Sequence, residues 1–401
     1  MQELIRELAS RPSIHMLNEA WPGRRADLLD EALAIQAIPA PTFEEGERAK
    51  YVEQRFRDLG LFDVQHDALN TVYGRSPGTD ASLPSVMVSA HLDTVFPAGT
   101  DLTTRENGES GRIYGPGLGD NAIGLAAMIS LAGALKAAGV QHPADIWWVA
   151  TVGEEGLGNL RGMRHARDIL ADRLGLAVII EGIGISRVYS AGLGVRRLRV
   201  SVLGPGGHSW LHADRPNAIH HLLRIGAALV EGVRPPLSPQ STFNIGLIEG
   251  GRSINTRAPQ ASLSIDLRSE RPEALEALAG EVLATIARFN GEPDLKTRVE
   301  VIGERPCAAL PAAHPLVRAA LGVLQTLGFE DAKPEMGSTD ANILLAMAVP
   351  SVCIGITTGG NAHSTEEFIE LASITAGMQQ LTLLTLAAAE HSAAWSDWSA
   401  I

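Results

Sequence analysis

Cysteine is nearly absent from this chain, in which Cys307 and Cys353 are the only two among 401 residues. Two cysteines without a C-x-x-C motif provide neither a disulfide framework nor a thiolate zinc site. Free cysteine is commonly part of a core, so we expect both side chains to be buried. Any metal ion must then be bound through nitrogen and oxygen ligands.

Positive charge is also scarce, since 33 Lys and Arg residues stand against 46 Asp and Glu residues and leave a formal net charge of −13. A nucleic-acid surface needs clustered Lys and Arg, so we expect no nucleic-acid partner. We find no run of roughly 18 apolar residues that could cross a membrane. The N-terminal segment MQELIRELASRPSIHM has no apolar signal-peptide core. We expect a cytoplasmic protein without a membrane partner.

The length of the chain exceeds the usual size of a single core, so we expect two domains. Residues 1–191 and 306–401 contain strands that are apolar throughout and alternate with helical patterns. Such strands indicate a mostly parallel sheet with helices on both faces. We predict that these two segments together form one catalytic α/β domain.

The pattern differs between residues 192 and 305. GVRRLRVSVLG and ASLSIDLRS alternate polar with apolar residues, as half-exposed antiparallel strands do. The order of strand, helix, two strands, helix and strand fits an α+β module of the split βαβ, ferredoxin-like type. We predict that this inserted domain, residues 192–305, interrupts the α/β domain.

Acidic and histidine side chains lie at the carboxyl ends of the predicted strands of the α/β domain. His91 and Asp93 follow SVMVSA, Asp120 stands in GPGLGDN, Glu154 and Glu155 follow IWWVATV, Glu181 follows LAVII, and His363 stands in GGNAHS. Open α/β sheets place their sites at this edge. Five such segments that converge on one edge predict a functional site.

The chemistry of these side chains favours a pair of metal ions. Two histidines and three carboxylates suffice for two zinc ions if one carboxylate bridges them. A further carboxylate must accept the proton of the attacking water, and the adjacent Glu154 and Glu155 can divide these two tasks. His91 and Asp93 are two residues apart on an extended segment and point to the same side. Asp93 can therefore orient His91.

The motifs HLDTV, GLGDN, GEEG, the strand-end EG and AHSTEE resemble the aminoacylase, peptidase T and carboxypeptidase G family of co-catalytic zinc hydrolases, in metallopeptidase clan MH. The resemblance covers nearly the whole chain and implies a zinc-exopeptidase type of α/β fold. The implied roles are one zinc ion on His91 and Glu181, a second on Glu155 and His363, a bridge by Asp120, a general base in Glu154, and support of the first histidine by Asp93. In relatives, the peptide bond that corresponds to Asp120–Asn121 is often cis.

The same resemblance assigns roles in the inserted domain. It implies that His208, in GPGGHSW, completes the active site of the other subunit of a homodimer and polarises the scissile carbonyl. It implies that Asn255 and Arg268 contact the substrate carboxylate, for which arginine offers a two-pronged donor. Gly337 and Ser338, in MGSTDAN, match a loop that lines the substrate cleft. The insert would act as a lid and as the dimer interface.

Each residue also has a structural alternative. Taken singly, His91 or His363 could be a hydrogen-bonded structural histidine, and His208 could fix a glycine-rich turn. Asn255 could be a turn residue and Arg268 a surface charge. The convergence of motifs favours the functional interpretation for the metal ligands.

We therefore predict a zinc-dependent metallopeptidase that cleaves the terminal peptide bond of a small substrate, as a dipeptidase, tripeptidase, aminopeptidase or carboxypeptidase does. The alternative is an amidohydrolase that acts on N-acyl amino acids. A non-catalytic metal-binding scaffold should lack the base or a ligand, whereas this chain has Glu154 and every expected ligand. Cobalt or manganese could replace zinc. The substrate side chains, and which terminus is recognised, stay open.

Overall fold

This computed structural model of the chain describes residues 1–398. The chain divides into two compact units. The first comprises Met1–Gly192 together with the chain from Ala309 onward, and the second is Leu193–Ala308. The second unit contains all but one of the residues that the sequence assigns to the insert.

The helices and strands alternate along the first unit and form a separate module in the second. The helices are α1 (Gln2–Ser10), α2 (Pro12–Gln36), α3 (Gly46–Asp58), α4 (Ile123–Ala137), α5 (Arg161–Leu170), α6 (Ala218–Gly232), α7 (Pro272–Ala287), α8 (Pro315–Thr326), α9 (Ala341–Ala346), α10 (Ile374–Glu390) and α11 (Ser392–Trp395). The longer strands are β1 (Phe62–His66), β2 (Val72–Ser76), β3 (Ser85–His91), β6 (Ile146–Thr151), β7 (Leu174–Ile183), β8 (Arg187–Gly192), β9 (Gly194–Leu203), β11 (Ser241–Gly250), β13 (Gln260–Ser269), β14 (Lys296–Arg305), β16 (Lys333–Gly337) and β17 (Ser351–Thr357). The shorter ones are β4 (Arg105–Asn107), β5 (Arg112–Tyr114), β10 (Gly207–His208), β12 (Thr256–Arg257), β15 (Ala308–Ala309), β18 (Gly359–Gly360) and β19 (Phe368–Glu370).

The central sheet of the first unit has the order β1-β2-β6-β3-β7-β17-β8, and β16 pairs with β8. The four strands in the middle, β6, β3, β7 and β17, are mutually parallel. Every residue of β3, β6 and β17 is buried, which requires cover on both faces of the sheet. The predicted mostly parallel α/β sheet is confirmed. The carboxyl ends of the four parallel strands meet at one edge.

Two helical segments of the first unit, Leu118–Ala137 and Leu371–Glu390, are long and apolar enough to span a membrane by length and composition. Neither segment is an unbroken apolar run, because Asp120 and Lys136 interrupt the first and Gln379 and Gln380 interrupt the second. Their most apolar windows are 83% and 67% buried inside the protein. Such burial is typical of core helices in a soluble protein, where the apolar surface packs against the sheet and neighbouring helices.

The second unit is a four-stranded antiparallel sheet of order β11-β13-β9-β14. Leu198, Val200 and Val202 of β9 join a core with residues of α6 and α7. The order β9-α6-β11-β13-α7-β14 is the split βαβ pattern. Strand β11 lies at the edge, where Leu247 and Ile248 are 60% and 59% exposed.

The two cysteines differ in their surroundings. Cys353 is buried in β17, as expected, whereas Cys307 is only partly buried. The expectation of two buried thiols is therefore wrong for Cys307, which follows β14 at the end of the second unit. Both cysteines are free thiols.

Candidate metal centre

The strand ends of the first unit bring the predicted ligands into two overlapping groups. His91, Asp120 and Glu181 form one group, and Asp120, Glu155 and His363 form the other, with the ligand atoms of each group within 4.8 Å of one another. His91 is the last residue of β3, Glu181 lies in β7, and Glu155 follows β6. Asp120 belongs to both groups.

Asp120 directs its two carboxylate oxygens toward different histidines. Oδ1 lies 2.9 Å from Nε2 of His91, and Oδ2 lies 3.1 Å from Nε2 of His363. Glu181 Oε2 lies 3.5 Å from the His91 nitrogen, and Glu155 Oε1 lies 3.1 Å from the His363 nitrogen. A carboxylate in this position can bridge two cations held on its two sides.

The donor set fits divalent cations. Within the part of the chain that the structure describes, His91 Nε2 and Asp120 Oδ1 are buried atoms that make no hydrogen bond. Burial raises the pKa of Glu181 to about 7, although the neighbouring His91 lowers it. Gathered carboxylates that lack a compensating charge are costly to bury, and a cation removes that cost. Imidazole nitrogens and carboxylate oxygens suit zinc, cobalt and manganese.

The histidines of the two groups attract protons strongly. Hydrogen bonds with Asp120 and Glu155 raise the pKa of His363 to about 10. Burial alone would lower the pKa of His91, but the negative charge of Glu181 contributes to raising it well above the usual value. The pKa of Asp120 is lowered: its burial acts in the opposite direction, and the hydrogen bond with His363 together with the positive charge of the neighbouring His91 outweighs it.

Asp93 contacts His91 through its backbone rather than through its carboxylate. The Asp93 carbonyl oxygen lies 3.0 Å from His91 Nδ1, whereas the closest carboxylate oxygen lies 3.7 Å away. The carboxylate instead accepts the backbone N–H groups of Glu154 and Glu155, each at 2.9 Å, and the hydroxyl of Thr42 at 2.9 Å. The carbonyl thus favours the His91 tautomer with its proton on Nδ1, which leaves Nε2 for a metal. The carboxylate holds the turn that carries Glu154 and Glu155, here called the glutamate turn.

Two glycines bracket that turn. Gly153 and Gly156 have positive φ angles of 68° and 51°, a backbone conformation that glycine adopts without the steric cost of other residues. The turn leaves Glu154 and Glu155 6% and 5% exposed. Glu155 belongs to the His363 group, and both glutamates form a third close group with the histidine of β3. The pair therefore offers one carboxylate as a ligand and another for proton transfer at the same place.

Two buried charged residues near the ligands were not identified from the sequence. Glu367, fully buried, accepts the backbone N–H groups of Gly119 and Asp120 through Oε1 at 2.7 and 2.9 Å. Burial raises the pKa of Glu367 to about 7, although these N–H groups lower it. Arg48, only 1% exposed, donates to the carbonyl oxygen of Leu92 in the HLD segment at 2.8 Å. The AHSTEE motif contains Glu367, but the sequence shows nothing of its contacts.

The second unit brings His208 and Asn255 together on neighbouring loops, since the Ser209 N–H donates to the Asn255 carbonyl oxygen at 2.9 Å. His208 Nδ1 accepts the backbone N–H of Trp210 at 3.2 Å. This contact assigns the ring proton of the neutral imidazole to Nε2, which is thereby a donor.

The two other predicted substrate contacts occupy separate places. Arg268, on β13, donates from Nε to Asp266 Oδ2 at 2.7 Å, which fixes the orientation of its guanidinium. Ser338 belongs to the first unit and lies half-buried in the loop between β16 and α9. The predicted metal ligands thus gather within the first unit, and His208 with Asn255 within the second.

Comparison with known proteins gives a consistent result. The model of "Peptidase family M20/M25/M40" matches residues 87–387. A succinyl-diaminopimelate desuccinylase of Corynebacterium glutamicum is 28% identical over 372 residues, which cover 90% of this chain and 97% of the relative.

Solved structures share the fold. A tripeptidase from Staphylococcus aureus has a TM-score of 0.71 at 22% identity, with 91% of this chain and 98% of that chain covered. Human carnosine dipeptidase 1 has a TM-score of 0.71 at 15% identity, with 92% and 98% covered.

Metal affinity should increase with pH. In the metal-free protein the raised pKa values keep His363 and His91 protonated near neutral pH, so a metal must displace protons to bind. We expect the apparent affinity for zinc, measured by chelator competition, to rise between about pH 6 and pH 8, up to about tenfold per pH unit for each proton released. His363→Ala should flatten this dependence, whereas His15→Ala, at an exposed position, should not. An affinity independent of pH would contradict the assignment.

Asp93→Asn should disturb the glutamate turn and spare the His91 tautomer. The asparagine can accept only one of the two N–H groups, so we expect the free energy of unfolding in chelator to fall by about 1–3 kcal/mol. Thr42→Val, which removes one hydroxyl donor, should cost about 1 kcal/mol. In the zinc-loaded protein, the histidine ¹⁵N spectrum should retain the Nδ1–H form of His91 in both variants. Loss of that form in Asp93→Asn alone would show that the carboxylate orients the ring.

Proposed function

The chain belongs to peptidase family M20/M25/M40, and we propose that it cleaves the terminal peptide or amide bond of a small substrate with two zinc ions. The chain is a metal-dependent hydrolase, as its family and relatives indicate. The main support for two zinc ions is the position of Asp120. Its two carboxylate oxygens face His91 and His363, which belong to different ligand groups. Cobalt or manganese could occupy the same ligands.

In this mechanism His91 and Glu181 would hold one cation, Glu155 and His363 would hold the other, and Asp120 would serve both ligand groups. When bound, the cations supply an acidified water and polarise the substrate carbonyl. Glu154 accepts the proton of the attacking water and returns it to the leaving nitrogen, which makes it general base and then general acid. Asp93 holds the backbone of Glu154 in place during both transfers.

His208 is proposed to stabilise the oxyanion in the active site of a partner subunit. Its Nε2–H is a hydrogen-bond donor, which can stabilise the negative charge that develops on a carbonyl oxygen. Strand β11 supports a two-fold homodimer through the second unit, because an edge strand with exposed Leu247 and Ile248 can pair with its copy. We further propose that the inserted unit closes over the substrate as a lid.

The substrate class we favour is a small peptide cleaved at one end. The tripeptidase and dipeptidase share the fold, and the donor set suits any amide. A second candidate is an N-acyl amino acid, because the desuccinylase relative aligns with 90% of the chain. Arg268 and Asn255 are proposed to bind a substrate carboxylate, and Ser338 to line the cleft. We propose a cytoplasmic location, which the burial of the two apolar helical segments inside the protein supports.

Glu154→Gln should abolish turnover while metal binding is retained. We expect the zinc-loaded wild type to hydrolyse at least one class in a panel of dipeptides, tripeptides and N-acyl amino acids with free and blocked termini. Without the base, kcat should fall by roughly 10²–10⁴-fold with zinc content unchanged. Asp58→Asn, an exposed helix position, serves as the control. Wild-type turnover by the zinc-loaded variant would disprove the base assignment.

Mixing two inactive variants should restore activity if His208 acts in the partner's site. In a mixed dimer of Glu154→Gln and His208→Ala, one active site has both an intact base and the histidine of the other subunit. Random subunit exchange should restore about a quarter of wild-type activity, because half of the dimers are mixed and each has one complete site. Light scattering confirms the dimer. No recovery from exchanged dimers would place His208 outside the partner's site.

A further inference from the structure

Glu367 is a fully buried carboxylate that contacts the loop of Asp120, the residue that belongs to both ligand groups. We propose that Glu367 is a positioning residue, which holds Asp120 so that its two oxygens can serve two cations at once. This inference rests on one part of the proposed function, namely that the two ligand groups bind cations. It assigns to Glu367 no contact with substrate or metal.

The contacts of Glu367 concentrate on the backbone of one loop. Oε1 accepts the N–H of Gly119 at 2.7 Å and the N–H of Asp120 at 2.9 Å. The carbonyl oxygen of Glu367 accepts the N–H of Gly115 at 2.9 Å. A carboxyl oxygen has lone pairs for both N–H groups, so a single buried side chain can fix the loop.

The loop needs such an acceptor because its backbone leaves helical geometry. Asp120 has φ −123° and ψ 86°, and Gly119 and Asp120 stand among the first residues of the segment Leu118–Ala122, where N–H groups have no carbonyl partner within a helix. The loop also lies very close to β7: a Cβ atom at Gly119 would stand 2.5 Å from Cδ1 of Ile183 and 3.2 Å from Oε1 of Glu367. The side chain of Glu367 and strand β7 therefore hold the loop between them.

The turn that supplies Glu367 also supplies a ligand. His363 precedes Glu367 by four residues, and the N–H of Glu367 donates to the Ser364 carbonyl oxygen at 3.1 Å. One short turn thus presents a histidine to Asp120 Oδ2 and holds the backbone of Asp120. The separation between Asp120 and His363 depends on both contacts.

A shift of Asp120 would affect both ligand groups. Its Oδ1 faces His91 and its Oδ2 faces His363, so a displaced backbone cannot satisfy both sides. Loss of the Glu367 contacts should therefore weaken the binding of both cations. A residue that only stabilised the fold would lower the free energy of unfolding without this effect on the metals.

The test compares four variants with wild type, with cobalt as the probe metal. Glu367→Gln keeps an oxygen that can accept both N–H groups, and we expect its cobalt affinity to stay within about threefold of wild type. Glu367→Asp is one methylene too short to reach them, and Glu367→Leu has no acceptor. Both should bind cobalt about 10–100-fold more weakly and with an altered visible spectrum. Glu366→Gln, next in sequence but exposed and paired with Arg105, should match wild type.

Affinity is measured by chelator competition, and unfolding is measured separately in excess chelator. Unchanged cobalt affinity and spectrum in Glu367→Asp would overturn the proposal, and so would an equal loss in Glu367→Gln. The Asp variant decides the matter if the Leu variant fails to fold. Failure of the wild type to bind cobalt would contradict the proposed function itself, which is a different result.

Discussion

Negative charge is concentrated at one edge of the central sheet, and the rest of the site depends on how this charge is held. Asp120, Glu155 and Glu181 share two histidines, and Glu154 lies beside them. Such carboxylates repel one another, so they stay together only where cations, imidazolium protons or backbone N–H groups compensate them. The raised pKa of Glu181, about 7, reflects the cost of its burial. We propose that two divalent cations supply the positive charge that compensates these carboxylates.

Two other buried carboxylates stabilise the ligand loops through backbone N–H groups. Asp93 accepts those of Glu154 and Glu155, and Glu367 accepts those of the Asp120 loop. Each is a carboxylate close to the predicted ligands, and the oxygens that hold these loops accept backbone N–H groups. The parallel strands provide the rigid frame, and the loops at their ends are fixed by these contacts. The proposed positions of ligand and base thus follow from the scaffold before any metal binds.

The sequence was sufficient to predict the mostly parallel sheet and the convergence of ligands on its edge, because apolar strand patterns and strand-end polar residues are local signals. It could not show that the Asp93 carbonyl, and not its carboxylate, contacts His91, since the carboxylate instead accepts N–H groups of Glu154 and Glu155 in the turn after β6. Glu367 was missed for a similar reason. Its partners are backbone N–H groups some 247 positions away, which have no signature in the sequence. The proposed roles of His208 and Arg268 also depend on an assembly that one chain does not display.

The measurement that tests the central claim most directly is a crystal structure of the zinc-loaded protein with anomalous diffraction at the zinc edge. We expect two anomalous peaks roughly 3.5–4 Å apart, one on each side of the Asp120 carboxylate. One peak should lie beside His91 and Glu181, and the other beside Glu155 and His363. A single peak at full occupancy, or zinc bound away from Asp120, would contradict a bridged two-metal centre.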